Sequence, residues 1–282
     1  MKVDLINEFP GLERFLLDAL SEDIGTGDIT TNSCIAMDAV SSGVIVAKEP
    51  GVICGLEIAG RVFGLLDENI RFTPAVSDGD SVSARDVIAE IEGPSRAILT
   101  GERTALNLLG HLSGIATRTA EAVQAVSGTG SKITDTRKTV PGLRVLEKHA
   151  VRCGGGANHR FSLSDGILIK DNHIKAAGGI ANAVALARQN CPHTLKIEVE
   201  TETIGDVQEA LGAGADIIML DNMPPEMMAE AVKIISGRAL TEASGNMGSR
   251  NLAQVAQTGV DFISIGALTH SVRALDVSLK LF

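Results

Sequence analysis

Tryptophan and tyrosine are both absent from this chain, and seven phenylalanines are its only aromatic side chains. A protein that holds single-stranded nucleic acid by stacking needs aromatic faces for the bases, so this poverty argues against that class. Positive charge is also in deficit. The formal charge is −10 over 282 residues, the wrong sign for a general binder of phosphate backbones. No apolar run approaches the roughly 20 residues that a membrane-spanning helix needs. Residues 1–10 carry acids and no apolar stretch of the kind that marks a signal peptide. The four cysteines, Cys34, Cys54, Cys153 and Cys191, show no CxxC spacing and no metal-like grouping along the chain. The expectation is reduced thiols in a cytoplasmic protein, with no nucleic-acid partner and no membrane.

Hydrophobic residues make up 44% of the sequence, enough to core one large domain or two ordinary ones. The charge is unevenly spread. Between Arg137 and Lys175 lie eight of the 25 Lys/Arg and only three of the 35 Asp/Glu, a local balance of +5. The remainder carries −15. Three of the six histidines, His149, His159 and His173, share the basic segment. A cationic island in an acidic chain suggests a site for a small polyanion. The competing reading is a solvated charged face.

Apolar spacing predicts a helix over residues 11–22, then a turn-rich loop over 23–31. Short strands follow at 43–48, 51–54, 70–76 and 87–91, with a helix at 57–66 between them, giving an α+β domain around an antiparallel sheet. Residues 95–126 are expected to be helical and to act as a hinge. Beyond them the pattern changes to alternation of strand and helix. Strands are expected at 166–170, 195–200, 215–220, 239–243 and 260–265, and helices at 180–189, 204–213, 226–235 and 252–257. Such repeats imply parallel strands joined by crossovers, in a barrel or a doubly wound sheet. The strands read as apolar on both faces.

Polar groups follow these strands. Lys170-Asp-Asn-His173, Glu200, Asp221-Asn222, Ser244-Gly-Asn246 and Gly266 stand at successive strand ends. Carboxyl ends of parallel strands converge on one rim, where active sites are built. Helix capping by Asp and Asn is the alternative for any single one. Glu200 and Asp221 are one βα unit apart, and paired carboxylates at a cationic site suit a hard metal or ribose hydroxyls. A glycosidase-like acid/base pair competes with that reading but leaves the neighbouring Lys and Arg unexplained. Ser244-Gly-Asn-Met-Gly248 and Gly266-Ala-Leu-Thr-His-Ser271 are small-residue loops near helix starts, where backbone N–H groups can hold phosphate. In Asp135-Thr-Arg-Lys-Thr139 and Asn158-His-Arg160, Arg137 and Arg160 offer forked donors for planar carboxylates. Lys138 and Lys170 offer point charges for phosphates.

These segments together resemble the quinolinate phosphoribosyltransferase family. The resemblance rests on Thr136-Arg-Lys-Thr139, Pro141-Gly-Leu-Arg144, Glu147-Lys148, Gly154-Gly-Gly156, Asn158-His-Arg160 and Leu168-Ile-Lys-Asp-Asn-His173. Glu198-Val-Glu200, residues 214–222, Ser244-Gly-Asn246, residues 102–107 and residues 22–31 extend it over nearly the whole chain.

The resemblance implies an N-terminal open-faced α/β sandwich domain at residues 1–108 and a C-terminal incomplete α/β barrel at 109–268. A tail at about 269–282 would pack back on the first domain. It implies transfer of phosphoribosyl from 5-phosphoribosyl-1-pyrophosphate to quinolinate with decarboxylation, giving nicotinate mononucleotide in NAD biosynthesis. Lys138, Lys170, Glu200 and Asp221 would be catalytic. Arg137, His159 and Arg160 would hold the quinolinate carboxylates with Lys138 beside them, joined by Arg103 of the neighbouring subunit in a homodimer, and Thr136 would be a further substrate-binding residue. Lys170 and His173 would face the phosphoribosyl substrate, and Ser244, Gly245, Asn246, Ile265, Gly266 and Ala267 would hold phosphate. Glu200 and Asp221 would contact ribose and Mg²⁺, with no organic cofactor. A related transferase acting on another aromatic acid, and a non-catalytic binder of an anionic metabolite, are the alternatives.

Overall fold

The computed structural model describes residues 9–282. Within them the chain forms two compact units. The first comprises the chain up to Ala120, then Val145–Gly155 and Val272–Phe282, and the second Glu121–Arg144 and Gly156–Ser271. The first unit thus reaches further along the chain than residues 1–108 and takes in two later segments. Among the described residues no helix is long and apolar enough to cross a membrane.

The first unit starts with helix α1 (Leu12–Ile24), which buries Leu12, Leu16 and Leu20 at helical spacing. Helix α2 (Ile29–Cys34) follows where a loop is expected. The cause is local, since the Asp28 carboxylate accepts the Thr31 N–H at 2.9 Å and caps the turn. Next come β1 (Val40–Ala47), β2 (Gly51–Val52), α3 (Leu56–Leu66), β3 (Arg71–Pro74), β4 (Ser81–Val82) and β5 (Val87–Pro94). The 31-residue helix α4 (Ser95–Ala125) succeeds them. The main sheet has the order β12-β1-β5-β3, where β12 is Val277–Leu281. All its pairings are antiparallel, with Gly43 opposite Leu281 and Phe72 opposite Ile91. Ile45, Ile58, Phe63, Ile88, Ile91, Leu109 and Leu112 are fully buried in the core. Each such side chain contributes about 1.5–3 kcal/mol by leaving water. The C-terminal stretch lies against α4, where the Leu275 N–H donates to the Gly110 carbonyl at 2.9 Å. A Cβ on Gly110 would sit 2.8 Å from the Leu275 carbonyl oxygen, so only glycine permits this approach.

The second unit holds six strands, β6 (Lys132–Thr134), β7 (Ile167–Ile169), β8 (Ile197–Thr201), β9 (Ile217–Asp221), β10 (Leu240–Ser244) and β11 (Phe262–Ser264). They form one parallel sheet in the order β6-β11-β10-β9-β8-β7. The connecting helices begin where the sequence supplies caps. Thr203 accepts the Asp206 N–H at 3.1 Å, and the Asp206 carboxylate accepts the Thr203 N–H at 2.9 Å.

The strands are not apolar on both faces. Ile197, Val199, Ile218, Leu220 and Ala243 are buried on one face. Alternate positions carry Glu198 and Glu200 on β8, Met219 and Asp221 on β9, and Glu242 and Ser244 on β10. Because successive side chains point to opposite faces, the polar members share one side of the sheet. Register sets them opposite one another, with Glu200 paired to Met219 and Ser244 to Asp221.

Candidate active site

The carboxyl ends of the six strands surround a cavity of about 470 Å³. Thr136, Arg137 and Lys138 come to it from beyond β6, Lys170 from β7, Glu200 from β8, Asp221 from β9, and Ser244, Gly245 and Asn246 from β10. His159 and Arg160 complete the set. Eleven of the residues singled out in the sequence therefore line one pocket. His173, Ile265, Gly266 and Ala267 are not among its lining residues. Instead, His173 Nδ1 accepts the Lys170 backbone N–H at 2.9 Å, tying the start of the helix Asp171–Ala177. Gly266 lies against the Lys138 side chain, and Thr269 Oγ1 donates to the Lys138 carbonyl at 2.7 Å. Arg103 belongs to the first unit, exposed on the third turn of α4. Glu147, another motif residue, is fully buried in the first unit with its carboxylate 2.9 Å from His111 Nε2.

Electrostatically the pocket is arranged around two guanidinium groups. The Arg137 and Arg160 side chains each bury an Nε that has no hydrogen-bond partner among the described residues. Arg160 spends one Nη1 donor on the Gly166 carbonyl at 2.7 Å. Burial first, and then the Arg137 charge, presses the Arg160 pKa below its ordinary value. Two cations held together with unused buried donors call for an anion. Across the rim, Lys170 Nζ lies 3.1 Å from Glu200 Oε2. Asp221 Oδ2 accepts from Asn222 Nδ2 at 2.6 Å, and Asn222 Oδ1 in turn accepts from Asn246 Nδ2 at 3.4 Å.

That amide chain rests on left-handed backbone at Asn222 and Asn246, with φ of 55° and 56°, a conformation asparagine tolerates better than most residues. Gly245 between them has φ of 87°, and a Cβ there would stand 2.7 Å from the Asn222 backbone nitrogen. Gly245→Ala is expected to displace the turn and lower turnover at least tenfold. Its thermal midpoint should fall only modestly, because the turn is at the surface. Wild-type turnover in this variant would show that the turn takes no part in the chemistry.

Beneath the rim, His159, expected from the sequence to bind quinolinate, joins Glu198 and Glu242, two strand residues for which no such role is expected, in a polar cluster. His159 Nε2 is 3.1 Å from Glu198 Oε2 and 3.5 Å from Glu242 Oε1, and both acids are almost wholly buried. His159 Nδ1 accepts the Arg160 N–H at 2.8 Å. The proton of the neutral ring therefore lies on Nε2, directed at the acids, which makes this trio a hydrogen-bonded support and not a metal cage. The fully buried Asp135 accepts the His159 backbone N–H at 2.9 Å and fixes the loop. His159, Arg160 and Glu242 also line a second cavity of about 320 Å³, which reaches Lys196, Ile217 and Phe262 at the opposite strand ends.

Burial, and then the charge of Glu198, push the Glu242 carboxyl from 4.5 up to about 7, while His159 opposes the rise. A raised acid pKa contributes stability that is complete below 4.5 and is lost as pH climbs through about 7, because the unfolded chain ionises first. Relative to wild type, Glu242→Gln should gain up to ~3 kcal/mol of unfolding free energy between pH 4.5 and 7.5. Urea unfolding at a series of pH values measures this, and parallel pH profiles for the two proteins would contradict it.

Six parallel strands that deliver cations, carboxylates and a glycine-bearing turn to one rim define an α/β enzyme for a small anionic substrate. The chain belongs to the quinolinate phosphoribosyl transferase family. The family's N-terminal domain matches residues 28–113 and its C-terminal domain residues 115–280. The chain is 49% identical over 270 residues to the probable nicotinate-nucleotide pyrophosphorylase (carboxylating) of Bacillus subtilis, covering 96% of this chain and 93% of that one. The corresponding Mycobacterium leprae protein is 43% identical, with 97% and 98% covered. The structure of the nicotinate-nucleotide pyrophosphorylase from Francisella tularensis superposes with a TM-score of 0.94 at 43% identity, over 100% of this chain and 98% of that one.

Proposed function

We propose that the pocket of the second unit joins quinolinate to 5-phosphoribosyl-1-pyrophosphate, releasing pyrophosphate and carbon dioxide and leaving nicotinate mononucleotide. The observation that carries this reading is the Arg137–Arg160 pair, with its two buried unpartnered Nε donors, opposite Lys170, Glu200 and Asp221 on the same rim. A dicarboxylate placed on the pair uses the idle donors.

The quinolinate ring nitrogen attacks C1 of the ribose, and the bond from C1 to the pyrophosphate oxygen breaks with its electron pair. The nitrogen is already a free nucleophile, so the protein need supply no general base. Its task is electrostatic, gathering two anions and stabilising the charge that collects on pyrophosphate. Lys138 and Lys170 do this as point charges, and the Ser244-Gly-Asn246 turn offers backbone N–H groups to phosphate, helped by residues 265–267. The new pyridinium stabilises the electron pair left when the adjacent carboxylate departs as carbon dioxide, and a solvent proton completes nicotinate mononucleotide.

Glu200 and Asp221 present oxygen donors on the rim, a set suited to Mg²⁺, which binds by one or two carboxylates together with substrate phosphates. Bound there, Mg²⁺ would neutralise pyrophosphate charge. The same carboxylates are placed to accept hydrogen bonds from the ribose hydroxyls. We extend the reading to an incomplete barrel for the six-stranded sheet, to a cytoplasmic setting, and to a homodimer in which Arg103 serves the partner's pocket.

Calorimetry tests the carrying observation. Quinolinate should bind the full chain much more tightly than nicotinate, which lacks one carboxylate. Equal affinities would remove the guanidinium pair from substrate recognition.

A further inference from the structure

In the first unit, three separate stretches of chain bring together Cys54, Asp78, His149 and Cys153. Each offers one ligand atom, and the four atoms all lie within 4.8 Å of one another. Cys54 leaves the short strand β2, Asp78 sits in the turn before β4, and His149 and Cys153 are one turn apart on the helix Arg144–Cys153. Nothing in the linear spacing announces this group, because the two cysteines are 99 positions apart in the chain.

The local bonding is that of preset ligands. Asp78 Oδ1 and Oδ2 accept the Gly55 N–H at 3.0 Å, and Oδ1 also accepts the Leu56 N–H at 3.1 Å. The Cys54 N–H donates to Ser113 Oγ at 3.0 Å. His149 Nε2 lies 3.3 Å from Asp78 Oδ2 and 3.3 Å from Cys153 Sγ. A single ring N–H cannot serve both acceptors well. The other ring nitrogen, Nδ1, is buried without a partner among the described residues, so the ring's polar engagement is wholly with the cluster. Cys54 is fully buried and His149 is 6% exposed, while Cys153 and Asp78 are partly open to solvent.

We propose that Cys54, Asp78, His149 and Cys153 form a zinc site that ties the helix Arg144–Cys153 to the loops around residues 54 and 78. Zinc binds tetrahedrally to sulfur, nitrogen and carboxylate oxygen at about 2.0–2.3 Å, which puts neighbouring ligand atoms about 3.3–3.8 Å apart. The two 3.3 Å separations are already edges of such a tetrahedron, and the remaining pairs, all within 4.8 Å, need to close by no more than about 1.5 Å. Two thiolates, an imidazole and a carboxylate complete four-coordination, leaving no open position for chemistry. The ion replaces the two thiol protons, which pass to solvent, with no change of oxidation state. Its role is structural, fastening the helix Arg144–Cys153 to the loops around residues 54 and 78, which backbone hydrogen bonds such as Gly79 N–H to the Ile53 carbonyl already join to each other.

The full chain, reduced and stripped with a chelator, is titrated with Zn²⁺ and separately with Co²⁺ as a coloured substitute. The proposal predicts one ion per chain, two protons released per ion, and the thiolate-to-cobalt charge-transfer band with tetrahedral d–d bands. Two of the four thiols should become unreactive to a disulfide reagent. Cys153→Ala should lose the charge-transfer intensity in part and weaken zinc by more than about 100-fold. Cys34→Ser and Cys191→Ser, outside the cluster, should bind as wild type. Cys54→Ser is informative only where its circular dichroism matches wild type, and Cys153→Ala, at the more open position, carries the test otherwise. Substoichiometric uptake by the reduced chain, an unchanged cobalt band in Cys153→Ala, or a Cys54–Cys153 disulfide forming in place of metal uptake would each overturn the site.

Discussion

Lysine in place of Arg137 or of Arg160 is expected to weaken quinolinate binding by roughly 30- to 4,000-fold, even though the charge is kept. Losing one partner of a buried charged hydrogen bond costs about 2–5 kcal/mol, and about 1.4 kcal/mol is tenfold. A guanidinium spreads five donors in a fixed plane, whereas an ammonium is a compact point with three. Arg160 shows why this matters, because it already donates to the Gly166 carbonyl at 2.7 Å while its Nε remains available. A lysine carries its three donors on one nitrogen and cannot reproduce the separate Nη1 and Nε positions from which Arg160 meets the carbonyl and the substrate. Binding measured by calorimetry, with circular dichroism to confirm folding, checks the claim. Wild-type affinity in both variants would take the pair out of the pocket's function.

The second large effect concerns assembly. Arg103→Ala and Lys170→Ala are each expected to be nearly inactive alone. If each pocket is completed by Arg103 of the partner, a mixed dimer carries both lesions in one site and neither in the other. Random exchange makes half the dimers mixed, with one repaired site of two, so activity should recover to about a quarter of wild type. Subunit exchange is verified by mass labelling. Inactivity after verified exchange would mean that Arg103 acts within its own chain, and the shared-site proposal would fall. Arg103 is exposed on the first unit and does not line the cavity of the second, which is why the question is decided by mixing rather than by a single variant.

How much of this was legible depended on the range of the interactions. The alternation of strands and helices after residue 160 could be read because each buried strand is a short apolar run with a polar group after it. The rim residues Lys170, Glu200, Asp221 and Ser244 followed from that pattern. The strand interior did not. Glu198 and Glu242 sit where a buried parallel strand is expected to be apolar, and only the register shows that they share a face with His159 as its support. The strand Lys132–Thr134 has three residues, too few to show a period. The pairing of Val277–Leu281 with Val40–Ala47 joins opposite ends of the chain, which no local pattern encodes. The helix Ile29–Cys34 was hidden behind Gly25 and Gly27, although its cap Asp28 and Thr31 were in plain view. The thiols illustrate the same limit, since Cys54 and Cys153 look unrelated until the fold sets them beside Asp78 and His149.

One measurement bears on the central claim more directly than any variant. The full chain is incubated with quinolinate labelled at the carboxylate beside the ring nitrogen, with 5-phosphoribosyl-1-pyrophosphate and Mg²⁺. Labelled carbon dioxide and pyrophosphate are counted together. The account predicts one carbon dioxide for each pyrophosphate, in step throughout the time course, and none of either when quinolinate is left out. Pyrophosphate released without carbon dioxide, or equal turnover with nicotinate in place of quinolinate, would contradict it.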